Sequence, residues 1–163
     1  MPHNPEEFVK IARDILDRLK YLKLAHGTYL DGSIAFDEIP SEGDAKKYLP
    51  KIEKACEVCA KGALFLSHIR VNDKVDLSEL VSEYRFESGN KYIGTNSTRI
   101  CDILTDYISQ DQLDLVEAAF EMWGEYDGGD SKTARFGERY KTHRGRLKAI
   151  CQNIIDNEGW FKP

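Results

Sequence analysis

The chain has 163 residues, a formal net charge of −5, 41% hydrophobic side chains and 31% charged ones. That length suits a single domain over residues 1–163, one that buries roughly 70% of the surface the unfolded chain exposes. The composition excludes a disordered chain, a collagen-like repeat and a disulfide knot.

No apolar run approaches the ~18 residues of a membrane span. The opening Met1-Pro2-His3-Asn4 carries no basic, apolar leader, so no secretion signal is expected. The cysteines Cys56, Cys59, Cys101 and Cys151 are then expected to be reduced, in a cytoplasmic protein.

In chain order, Asn4 is a good helix N-cap, Pro5 suits the first helical position, and Glu6 and Glu7 complement the macrodipole. Phe8, Ile11, Ala12, Ile15, Leu19 and Leu22 recur on one face, which predicts a helix that stops before Gly27. Asp31-Gly32, set between short β-prone runs, predicts a small β-hairpin over 28–36. Ser41 and Asp44 are candidate caps for a short helix before Pro50.

From Ile52 to Ile69 the pattern is apolar over most of the circumference, as in a buried central helix. Gly62 in this stretch would admit another backbone. Asp76 with Glu79 predicts a short helix to about Phe86, and Lys91-Tyr92-Ile93 is expected to pair with the hairpin. Asn96 or Thr95 starts a helix through Ile108, Ser109 with Gln112 starts the next, and the last runs from Thr142 to Asn157. A Gly/Asp loop is expected over 126–131, and Trp160 and Phe161 are expected to fold back as an anchor. The fold expected is mainly α: a single-domain bundle of five or six helices around the central 52–69 helix, with the small β element.

Charge is uneven along the chain. Residues 101–130 hold nine acidic side chains and no Lys or Arg, whereas residues 131–150 hold seven Lys or Arg and the single acid Glu138. The two segments either face each other or water, or the second forms a local anion site. An acidic chain is not expected to bind genomic nucleic acid.

Cys56-Glu57-Val58-Cys59 is a C-x-x-C whose thiols would share a helix face. His68 would point away from them, and core packing explains the cysteines as well, so no metal site and no cofactor are expected. The sequence carries no catalytic signature for Cys56 or Cys59 with His26, His68 or His143.

Gly94-Thr95-Asn96-Ser97-Thr98-Arg99 leads polar residues and an Arg into a helix N-terminus. Such a terminus attracts anions, although ordinary capping explains Asn, Ser and Thr equally. In the basic segment Phe136 and Tyr140 stand among the arginines, a mixture suited to stacking a base while pairing phosphates. The candidate ligand residues are Asn96, Thr98, Arg99, Arg135, Arg139, Tyr140 and Arg144, with Arg99 and the later arginines expected on one surface.

Three stretches together resemble a family of uncharacterised small bacterial and phage proteins. They are His26-Gly27-Thr28-Tyr29 with Asp31-Gly32, then Cys59-Ala60-Lys61-Gly62-Ala63-Leu64, then Asn96-Ser97-Thr98 with Asp102-Ile103-Leu104. The resemblance covers roughly residues 10–108 and implies a small cytosolic domain of mobile elements. By analogy it implies a non-enzymatic protein that sequesters an anionic small molecule such as a nucleotide signal, or that inhibits a host protein. The competing expectation is a cysteine-dependent hydrolase using Cys56 or Cys59.

Overall fold

Asn4 stands in extended backbone and its side chain accepts from the Glu7 amide, so α1 (Pro5–Arg18) starts where the capping residues place it. Its buried stripe is Phe8, Ile11, Ala12 and Ile15. The computed structural model describes residues 3–72, 75–87, 89–122 and 131–163. Among them are α2 (Leu49–Ala55), α3 (Ala60–Asn72), α4 (Ser97–Leu104), α5 (Gln110–Glu121), α6 (Ser131–Glu138) and α7 (His143–Asp156). The strands are β1 (Lys23–Leu24), β2 (Leu30–Ala35), β3 (Cys56–Val58), β4 (Val81–Glu87) and β5 (Asn90–Thr95), and they form one sheet in the order β1-β3-β2-β5-β4. The chain is mainly helical. Among the described residues no helix is long and apolar enough to cross a membrane.

The continuous 52–69 helix is corrected. Cys56-Glu57-Val58 alternates buried, exposed, buried, and pairs parallel with β1 and antiparallel with β2. A run that is apolar on all sides does not distinguish a buried helix from a central strand, and here strand pairing takes its middle. Cys56 and Cys59 therefore share no helix face. What does hold is the burial of the second half: every residue from Ala60 to Ile69 is buried, with Cys59, Ala63 and Leu66 each 1% exposed. α1, α2, α4 and α5 all pack on α3.

The 28–36 hairpin is also corrected. β2 runs straight through Asp31-Gly32, pairing residue by residue with β5 from Leu30↔Thr95 to Ala35↔Asn90. Gly32 is there for close approach, since a Cβ on it would lie 2.4 Å from the Ala55 carbonyl oxygen. Its Asp-Gly is a contact with β3, not a turn. The hairpin lies instead between β4 and β5, where Gly89 has φ +80. Lys91-Tyr92-Ile93 pairs with β2 as expected.

Two further elements differ. The expected 76–86 helix is a 3-10 turn, Leu77–Glu79, followed by β4; the Asp76 side chain accepts from the Ser78 amide, which closes a turn without propagating a helix. The first helix ends at Arg18, because Leu19–Tyr21 tightens to 3-10 and Lys23–Leu24 is drawn into the sheet beside β3. α4 with its Asn96 cap, α5 with Ser109 and α7 with Thr142 start at the expected residues. Phe161 is buried, while Trp160 is 40% exposed and tilts over His3. Trp123 and residues 126–130 of the loop expected over 126–131 lie outside the described residues, and Ser131 begins α6.

Candidate functional site

α5 carries the unexpected chemistry. Leu113, Val116 and Phe120 set its buried stripe, and Glu117 and Glu121 stand on the same stripe one turn apart. Both carboxylates are buried and both are partnered. Tyr29 donates its hydroxyl to Glu117 Oε1 at 2.7 Å, and Lys61, buried in the first turn of α3, forms an ion pair with the same carboxylate. The Gly27 amide donates to both oxygens of Glu121 at 3.0 and 3.1 Å, and His26 Nδ1 lies 2.6 Å from Glu121 Oε2.

The electrostatics arise from these contacts. Burial works against the charge of Lys61, but the hydrogen bond and charge of Glu117 outweigh it and hold the ammonium above its ordinary pKa. Burial, with Glu117 second, pushes Tyr29 up to about 12; a hydrogen bond with Ser97 opposes the shift. Tyr29 is thus a hydrogen-bond donor and not a base. Segment 26–29 and the start of α3 therefore meet on α5, and Tyr29 also reaches Ser97 at the start of α4. The sequence signal was available in the two acids on the apolar stripe and in one lysine inside an apolar run.

A second pair lies beside this cluster. The His26 and His143 rings stack with centroids 6.2 Å apart and planes 20° apart, and His143 also packs against Phe120 at 5.4 Å. Burial first, then the charges of Arg146 and His26, lower the pKa of His143, with Glu121 opposing.

The C-x-x-C thiols are sealed in the core. Cys56 and Cys59 are each 1% exposed, and burial pushes each thiol up to about 12; at Cys59 the Gly62 and Lys61 amides offset only part of that. Among the described residues no group of three or more His, Cys, Asp or Glu is placed to hold a metal ion.

The residues expected to bind a ligand have varied places. Asn96 Oδ1 accepts the Arg99 amide at 2.9 Å, so it caps α4. Thr98 is exposed in the first turn. Arg99 Nη2 lies 2.6 Å from Glu79 Oε2. Arg135 and Arg139 are exposed on and after α6. Arg144 donates to the Leu22 carbonyl at 3.3 Å. α4 packs on α3, while α6 packs on α5 and α7 on α1 and α5. Among the described residues no hydrogen bond or ion pair joins Arg99 to the basic segment.

Arg146, part of that segment by sequence, is buried. Its guanidinium donates to the carbonyls of Phe120, Gly137 and Tyr140, which lie near the ends of α5 and α6.

Tyr140 is different. It packs at 5.6 Å against Phe136 and lines a groove of about 520 Å³ along α7, together with Gly145, Lys148, Gln152, Asn153 and Asp156.

No family model, curated protein or solved structure matches this chain.

A second, smaller groove of about 410 Å³ lies between β2 and α2, lined by Ser33, Ile34, Glu38, Lys51 and Lys54. There Lys51 is already bonded to the Glu38 carbonyl.

Proposed function

We propose that the chain is a binding protein for an anionic small molecule of nucleotide type, held in the groove along α7. The carrying observation is that Tyr140 and Lys148, both in the basic aromatic segment, line one groove of about 520 Å³. Small-molecule sites run roughly 300–1,000 Å³. Tyr140 offers a half-buried aromatic face for a base. Lys148 stands one helical turn after Arg144 on α7, so the two supply cationic groups for phosphates on neighbouring surface. Gln152 supplies its amide oxygen for a base edge or ribose hydroxyl, its Nε2 being bonded to Asp156, while Asn153 is held on both amide atoms by Lys162.

Binding is favoured over cysteine hydrolysis because Cys56 and Cys59 are buried and held protonated. The helix start at Asn96 is the weaker place for the ligand, because Asn96 caps its own helix and Arg99 is paired with Glu79. The arrangement of helices about α3 belongs to the same reading: burial of residues 60–69 supports α3 as the element on which α1, α2, α4 and α5 are organised, with α7 carried on α1 and α5.

Calorimetric titration with a panel of nucleotides and cyclic nucleotides tests this. Wild type binds at least one at micromolar affinity; Tyr140→Ala and Lys148→Ala each weaken it tenfold or more; Arg99→Ala leaves it unchanged. Absence of binding at sub-millimolar ligand would overturn the reading and leave inhibition of a host protein as the better one.

A further inference from the structure

The stacked pair His26–His143 lies outside the α7 groove, and nothing in the binding reading uses it. On α7 the groove residues Gly145, Lys148 and Gln152 project to one side, while His143 faces Phe120 and His26 at the start of the helix. Three observations define what the pair can do. The ring of His26 is fixed: Glu121, itself 4% exposed and anchored by the Gly27 amide, holds Nδ1, as a carboxylate does when it sets a histidine's tautomer and direction. Among the described residues Nε2 of His26 has no partner, and the side chain is 56% exposed. The second ring, at 6.2 Å, is too far to hydrogen-bond the first and near enough for one reacting group to reach both.

A pair of histidines is an acid and a base, and such a pair still needs a nucleophile. Cys56 and Cys59 are sealed in the core, which leaves water or a hydroxyl carried by the substrate itself. His143 is flanked in sequence by two exposed cations, Lys141 and Arg144, the latter donating one guanidinium nitrogen to the Leu22 carbonyl, and this positive charge favours a phosphate as the reacting group. A phosphodiester with a neighbouring hydroxyl is RNA. We propose that His26 and His143 form an acid–base pair that cleaves single-stranded RNA by transesterification.

In that step the neutral His143 imidazole, lowered in basicity by burial, takes the proton from a ribose 2′-hydroxyl. The 2′-oxygen bonds to phosphorus as the bond from phosphorus to the 5′-oxygen breaks, and protonated His26 gives its proton to that departing oxygen. The products are a 2′,3′-cyclic phosphate and a 5′-hydroxyl end. No water, oxidant or other co-reactant is consumed. A net charge of −5 does not oppose this, because turnover needs only local positive potential and not a lasting grip on the strand.

The test uses the full chain with an end-labelled single-stranded RNA oligonucleotide and its DNA counterpart, in EDTA. The expected result is RNA cleavage with cyclic-phosphate ends, no DNA cleavage, and a loss of about 10²–10⁴-fold in His26→Asn and in His143→Asn. Thermal melts of both variants establish that they fold; a variant that does not is replaced by His→Gln at the same position. Intact RNA with wild type, or equal cleavage by wild type and both folded variants prepared identically, would overturn the proposal.

Discussion

Tyr29 donates its hydroxyl to Glu117 at 2.7 Å, and the same carboxylate accepts the buried ammonium of Lys61. A loop residue before β2, the first turn of α3 and the middle of α5 are thereby fixed to one another by a single acid. Removing one partner leaves a buried charge uncompensated, which costs more than the pair itself contributes.

Lys61→Met is therefore expected to destabilise the fold by about 3–5 kcal/mol. Lys61→Met combined with Glu117→Gln is expected to recover a large part of that. Urea unfolding of the single and double variants measures the coupling. Additive losses in the double variant would show that the two side chains do not act as a pair.

Close packing at Gly62 gives a sharper test of the same junction. A Cβ there would lie 1.7 Å from the Tyr29 carbonyl oxygen, a backbone atom that cannot swing aside. Gly62→Ala is expected to cost about 3 kcal/mol or more, against a helix-propensity gain of roughly 1 kcal/mol from the same change. Leu66→Ala, one turn along the fully buried face, is expected to cost ~2–5 kcal/mol. A neutral Gly62→Ala melt would contradict the junction.

Thiol accessibility separates core cysteines from reactive ones. Cys56, Cys59 and Cys151 are buried and Cys101 is half-buried. Labelling with a thiol reagent at neutral pH is expected to modify Cys101 first and the other three only as the chain unfolds. Fast labelling of Cys59 would restore it as a nucleophile candidate.

The same groups set the alkaline limit of stability. Cys56 and Cys59 keep their protons to about 12 in the fold, against 9.0 for the unperturbed group. Above pH 9 the unfolded chain therefore binds fewer protons than the native one, and stability falls as pH rises. Lys61, held above its ordinary 10.5, adds to the loss at higher pH because its ion pair needs the ammonium. Melting temperature is expected to decline from about pH 9 upward; a flat profile to pH 11 would contradict these burials.

The helix starts were legible because capping is local: Asn4, Asn96, Ser109 and Thr142 each accept the amide three residues on, and each does so from residue type alone. The sheet was not legible in the same way. Cys56-Glu57-Val58 and Gly32 take their conformations from each other across a long separation in sequence, and an Asp-Gly that reads as a turn is in fact a contact. Burial of single side chains was legible only in part. Tyr140 was singled out for stacking and lines a groove, whereas Arg146, counted among the surface cations, spends its donors on three carbonyls inside. Charge counted along a sequence does not say which guanidinium faces water. Glu117, Glu121 and Lys61 were missed because each stands in an apolar run where one polar residue reads as noise.

The most direct measurement of the binding reading locates the ligand as well as detecting it. Amide chemical shifts of ¹⁵N-labelled protein, tracked during titration with the tightest nucleotide of the panel, are expected to move at Gly145, Lys148, Ala149 and Gln152 along the α7 groove, with Arg99 and Glu79 unmoved. Shifts centred on Asn96 and Arg99, or none at millimolar ligand, would contradict a nucleotide site on α7.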